Sequence, residues 1–203
     1  MKHKPIFITG IGTGVGKTIT SAIIVEHLQA DYWKPIQAGD LDNTDTDSVR
    51  SLVSNERSVF HPEAYRLTQP FSPHKSAAID NITIDINAIE LPVTNNRLVI
   101  EGAGGLMVPL NDSDLMIDLI KKFDAEVVLV SQNYLGSINH TLMSLEVLAS
   151  RNIAVKAIAI CGSNDVSSEF VIANYYQSKM IFIPQLDLHD KEAIANAAKS
   201  IDL

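Results

Sequence analysis

The segment Phe7-Ile-Thr-Gly-Ile-Gly-Thr-Gly-Val-Gly-Lys-Thr18 joins an apolar run, Ile6 to Ile8, to a pattern with apolar residues at Ile19, Ala22, Ile23 and Leu28. The run reads as a strand and the pattern as a helix, with a glycine loop and a Lys-Thr pair between them. That layout is a phosphate-binding P-loop. Glycines let successive backbone N–H groups point inward, and the helix N-terminus adds partial positive charge. Lys17 is placed to reach the β- and γ-phosphates of a nucleotide, and the Thr18 hydroxyl to ligate Mg²⁺. The strict spacing requires glycine at position 11, where this chain has Ile11. Gly10 lies one residue further back, so the loop is a lengthened one.

Outward from that segment, strands alternate with helices. The first strand, Ile6–Thr9, precedes a helix over Lys17–Gln29, and Tyr32–Ile36 reads as a second strand carrying Lys34. Residues 37–47 are rich in Gly and Asp and read as a loop. A short helix follows to Leu52, capped by Thr44 or Asp45. The three prolines Pro62, Pro70 and Pro73 make His61–Ser76 read as irregular, and Asp85–Leu91 fits a helix. Strands are expected at Arg97–Ile100, Glu126–Ser131, Ile153–Cys161 and Met180–Ile183. Helices are expected at Asp114–Phe123, Ser137–Ser150, Ser168–Gln177 and Lys191–Ile201. This alternation implies an α/β fold, a single domain over 1–203 with a mostly parallel sheet and helices on both faces. Ligands in such sheets bind at the carboxyl ends of strands. The loops 10–16, 37–47, 101–105, 131–137 and 161–167 should therefore share one rim.

The 203 residues suffice for one sizeable core. A net charge of −8 argues against a nucleic-acid partner held through its phosphates. The single cysteine, Cys161, excludes an internal disulfide and a thiolate metal cluster. No apolar run approaches a membrane span, and Met1-Lys-His-Lys-Pro5 leads into a strand rather than a signal segment. The expected compartment is the cytoplasm.

Asp47 and Glu101 are the metal candidates alongside Thr18, since Mg²⁺ bound with a nucleotide takes one or two carboxylates. Glu101 ends a buried strand, where a carboxylate is costly without a cation beside it. Asp40, Asp42 and Asp45 are rivals of Asp47 within the same acidic loop. Lys34, at a strand end, is placed to join Lys17 at the phosphates. Gly102-Ala-Gly-Gly105 permits close approach of a ligand to the backbone, and equally suits a tight turn. Gly136-Ser-Ile-Asn-His140 opens a helix whose free N–H groups could hold a carboxylate, or Ser137 is only its cap.

Five segments together resemble the dethiobiotin synthetase family, the ATP-dependent ligases of biotin biosynthesis. They are Thr9–Thr18, Lys34-Pro-Ile-Gln-Ala-Gly39, Thr46-Asp47, Val99-Ile-Glu-Gly-Ala-Gly-Gly-Leu106 and Gly136–His140. Pro70-Phe-Ser-Pro-His74 also resembles a loop of that family. The resemblance implies ATP and Mg²⁺ as cofactors, with 7,8-diaminononanoate and CO₂ as small-molecule substrates. It implies Lys17 and Lys34 as catalytic residues, and Thr18, Asp47 and Glu101 around the metal. Gly12, Thr13, Gly14, Val15 and Gly16 would surround the nucleotide with Lys17 and Thr18. Lys34, Gly104, Gly136, Ser137, Ile138 and Asn139 would face the substrate, the helix start coming from the partner subunit of a homodimer with shared active sites. No nucleic acid and no membrane take part. The chain has Gly14 where many members carry an acidic residue, and Ala38 where some carry serine. The adenine-reading asparagine has no gapless counterpart: Cys161 stands in its place, and Asn164 follows three residues later. The alternative is a regulatory switch ATPase that positions protein partners; such proteins carry a second lysine five residues before the P-loop lysine, where this chain has Gly12.

Overall fold

In the computed structural model, which describes residues 3–186 and 190–203, the chain alternates strands and helices as its pattern requires. β1 (Ile6–Gly10), α1 (Lys17–Leu28), β2 (Asp31–Trp33), β3 (Ile36–Ala38), α2 (Asp45–Leu52) and β4 (Phe60–His61) come first. β5 (Tyr65–Leu67), α3 (Pro73–Ile79), β6 (Leu98–Gly105), α4 (Met116–Lys122) and β7 (Glu126–Gln132) follow. α5 (Ser137–Ser150), β8 (Val155–Cys161), α6 (Val166–Tyr175), β9 (Met180–Ile183) and α7 (Lys191–Ser200) complete the order.

Seven strands form one sheet in the order β4-β2-β6-β1-β7-β8-β9, and every neighbouring pair is parallel. Side chains alternate across it, as the strand period demands. Phe7 enters one core with Leu98, Ile100, Val127 and Leu129. Ile6 and Ile8 enter the other with Val99, Val128 and the α1 residues Ala22 to Val25. Because both faces are covered, β7 is apolar almost throughout, Val127 to Val130 being fully buried. β1 lies centrally, and the chain winds to one side through β2 and β4, then to the other through β7, β8 and β9. The loop after β1 thus opens near the reversal of strand order, where open α/β sheets bind ligands. Parallel pairing brings the loops after β1, β6, β7 and β8 to the same rim, as expected.

Several local expectations are corrected. The strand expected over Tyr32–Ile36 is two strands: Lys34 and Pro35 interrupt it, and β3 leaves the main sheet to pair with β5. The region 61–76, expected to be irregular, holds the end of β4, β5 and the start of α3, with Pro73 at the first turn where a missing N–H costs nothing. The expected helix 85–91 is a single 3-10 turn, Ile86–Ala88. Ile84 and Ile89 on either side of it are fully buried, so tertiary burial holds the flanks extended. β6 runs on through Glu101 to Gly105, making the glycine segment a strand end rather than a free loop. Among the described residues, no helix is long and apolar enough to cross a membrane.

Candidate active site

Lys17 and Thr18 open α1, Lys34 follows β2 and Asp45 opens α2, while Glu101 lies within β6. Gly16 occupies the N-cap of α1 at φ 100°, a left-handed conformation, and a Cβ there would lie 2.8 Å from Cys161 Sγ. Glycine is therefore required twice over, by dihedral and by space. The Lys17 side chain folds back over the loop and donates to the Gly12 carbonyl at 2.9 Å. Val15 is buried beneath the loop, while Thr13 and Gly14 line a cavity.

That cavity, of about 680 Å³, is walled by the P-loop, by Lys34 and Ala38, by Phe71 to Pro73, and by Gly104 and Val108. Gly104 turns at φ 69°, where a Cβ would strike Val108. At the cavity floor four side chains converge. The Lys34 ammonium lies 2.6 Å from Asp45 Oδ2 and 3.1 Å from Glu101 Oε1. The Thr18 hydroxyl lies 2.8 Å from Asp45 Oδ1 and 3.2 Å from Glu101 Oε1. Its one proton serves one of them at a time. On the far side, Glu101 Oε2 accepts from Ser21 Oγ at 2.8 Å and from the Tyr32 hydroxyl at 3.0 Å.

The charges are strongly coupled. Burial alone would push the Lys34 ammonium down, but Glu101 and then Asp45 outweigh it and raise its pKa above the usual lysine value. Burial would likewise raise Asp45, and the adjoining Lys34 instead holds its carboxyl below the usual range. Lys17 is lowered, chiefly by burial, with Glu101 opposing. Burial pushes the Cys161 thiol up to about 11, so it is a neutral packing group beneath Gly16.

Asp47 does not join this cluster, correcting the choice made within the acidic loop. Thr44 caps α2 and Asp47 closes a capping box with it, its Oδ2 accepting from the Thr44 hydroxyl at 2.8 Å while Oδ1 pairs with Arg50. The spacing Thr44-x-x-Asp47 is itself the signal that could have shown this. Asp45, at the first position of α2, stands there instead. Asp40 lines the cavity as well, whereas Asp42 does not. Ser21 and Tyr32 carried no motif and were legible only once Glu101 was placed. Asn164 is exposed in the loop after β8 and does not line the cavity. Gly136, Ser137, Ile138 and Asn139 open α5, with Gly136 as its N-cap at φ 104°, and they too lie outside the cavity of their own chain.

The chain matches the family model described as an AAA domain over residues 4–193. It is 48% identical over 202 residues to the ATP-dependent dethiobiotin synthetase BioD of Cytophaga hutchinsonii, covering 98% of each chain. It is 54% identical over 178 residues to the protein of the same name from Christiangramia forsetii, covering 88% of this chain and 86% of that one. The chain belongs to the ATP-dependent dethiobiotin synthetase family. Among solved structures, a ParA family ATPase from Chlorobium tepidum superposes with TM-score 0.57 at 12% identity, covering 98% of this chain and 100% of that one. A chain of the MinC:MinD cell division complex of Aquifex aeolicus superposes with TM-score 0.56 at 15% identity, over 99% of this chain and 98% of that one. At such identities these two share the P-loop NTPase fold with the synthetase family, and the fold alone. They lend the switch-ATPase alternative nothing further.

Proposed function

We propose that this chain is a single catalytic domain that closes the ureido ring of dethiobiotin from 7,8-diaminononanoate and CO₂ at the expense of ATP. One amine of the substrate adds to CO₂ to give a carbamate. A carbamate oxygen attacks the γ-phosphorus, forming a carbamic-phosphoric anhydride and releasing ADP. The second amine then attacks the carbamoyl carbon, closing the ring and expelling phosphate. The observation that carries this reading is the convergence of Lys17 and Lys34 with Thr18, Asp45 and Glu101 at the floor of one cavity.

Phosphoryl transfer asks a protein mainly for positioning and for positive charge at the transferring group. Lys17 and Lys34 are the ammonium groups available there, and the carboxylates beside Lys34 keep it protonated. Thr18, Asp45 and Glu101 suit a divalent cation: two carboxylates and a hydroxyl meet, and an ammonium already stands between them as counter-charge. Magnesium held there would supply further charge neutralisation at the phosphoryl oxygens. The backbone from Gly12 to Gly16 receives the phosphates, and Asn164 in the rim loop is assigned to the adenine side. Gly104 and the Phe71–Pro73 wall receive the diamine.

The start of α5 is assigned to the active site of a partner subunit, making a homodimer with shared sites. Two features support this. Residues 136–139 do not line their own chain's cavity. Leu135, Met143 and Phe170, on or beside α5 and α6, expose large apolar side chains. The compartment is the cytoplasm, without nucleic-acid or membrane partners. The test is ADP release measured with and without each co-substrate. Release should require both the diamine and bicarbonate; equal release without the diamine would overturn the reading.

A further inference from the structure

Glu101 is 1% exposed, and each of its oxygens has a separate set of neighbours. Oε1 faces Thr18 and Lys34 at the cavity floor. Oε2 faces inward to Ser21 and Tyr32, both fully buried and neither lining the cavity. The two donors come from different layers. Ser21 follows Thr18 by three residues on α1, so both present to the same side of the helix. Tyr32 lies on β2, in register with Val99 of the neighbouring strand β6. The Tyr32 ring is wedged in the core against Phe60, with centroids 6.1 Å apart. Its hydroxyl, with the ring so held, donates to Glu101 Oε2 at 3.0 Å. Two donors saturate the acceptor sites of one carboxylate oxygen. Two donors on one oxygen fix the plane of the carboxylate and leave its other oxygen facing the cavity floor.

We propose that Tyr32 and Ser21 are positioning residues for the metal site: by holding Oε2 they keep Glu101 Oε1 turned to Thr18 and the cavity. The proposal rests on the reading of Glu101 as a metal ligand. Hydrogen-bond partners behind metal ligands typically contribute 10- to 100-fold in metal affinity. The experiment measures Mn²⁺ affinity by the electron paramagnetic resonance of free Mn²⁺, with protein saturated by a non-hydrolysable ATP analogue. Nucleotide affinity in EDTA and thermal unfolding are measured beside it. Tyr32→Phe keeps the ring and removes one donor; Ser21→Ala removes the other. Each should weaken Mn²⁺ binding several-fold, and the double variant by roughly ten-fold or more, with nucleotide affinity in EDTA unchanged. Glu101→Gln is the reference. If Glu101→Gln leaves Mn²⁺ affinity untouched, the metal reading fails and the proposal with it. If Glu101→Gln weakens Mn²⁺ while Tyr32→Phe and Ser21→Ala lower only the melting temperature, the positioning role alone is overturned. Equal loss of metal and metal-free nucleotide binding would also overturn it, marking the two residues as general supports of the fold.

Discussion

Replacing Asp45 by asparagine should shift the Mg²⁺ dependence of nucleotide binding to higher concentration, because it removes a charge at the Thr18–Lys34–Glu101 cluster. Replacing Asp47 by asparagine should leave that dependence in place. It should instead cost roughly 0.3–1 kcal/mol of stability, the usual contribution of an acidic side chain in the first turn of a helix, since Asp47 supports the Thr44 cap and pairs with Arg50. A paired Mg²⁺ titration and thermal melt of the two variants separates these outcomes. At the same cluster, Lys17→Ala should lower turnover on the order of 10²-fold with the fold retained. From sequence, Lys17 and Thr18 were legible from the glycine loop before them, and Lys34 and Glu101 because each follows an apolar run. The choice among four aspartates was not. Near a helix start every acidic residue is a candidate cap, and which one turns inward depends on where the helix axis lies.

At the scale of elements, the unit to consider is β1, its loop and α1, resting on the end of β8. Cys161 lies 3.3 Å from Thr20 Oγ1 beneath the loop. Its pKa of about 11 sits above the unfolded-state thiol value near 8.5. A raised acid pKa means that the folded state binds the extra proton. The associated stability is whole below about pH 8.5 and is lost as pH rises toward 11. Cys161→Ala should therefore lose less stability than the parent between pH 8 and 11, by up to roughly 3 kcal/mol. Denaturant unfolding of both proteins across that range checks it; parallel curves would mean that the thiol has the same pKa in the folded and unfolded chain. The P-loop itself was readable because its glycines, Lys-Thr pair and flanking apolar runs are contiguous. The expected helix at 85–91 failed because local pattern was outweighed by burial of Ile84 and Ile89 in a core assembled from distant strands.

At the scale of the molecule, shared active sites can be tested by reassortment. Lys17→Ala disables the P-loop, and a bulky substitution at Gly136 disables the start of α5, where φ is 104° and side chains are disfavoured. Equal mixing of two inactive dimers gives about half heterodimers under two-fold symmetry. If sites are shared, each heterodimer holds one intact site, and about a quarter of parental activity should return. A mixture that stays inactive after confirmed subunit exchange would place each site within a single chain.

The alternation of β1, β2, β6, β7, β8 and β9 with α1, α2 and α4 to α7, the P-loop and the parallel character of the sheet were determined by sequence alone. They rest on periodicities and motifs only a few residues long. Family resemblance, too, was carried by contiguous segments such as Lys34–Gly39 and Val99–Leu106. Tertiary structure decided which residues meet. Asp45 rather than Asp47 reaches Thr18, because Thr44 spends Asp47 on its own helix cap. Ser21 and Tyr32 reach Glu101, because parallel pairing of β2 with β6 and the packing of α1 bring positions 21, 32 and 101 to one point. Such meetings depend on distances between elements far apart in the chain, and no local pattern records them.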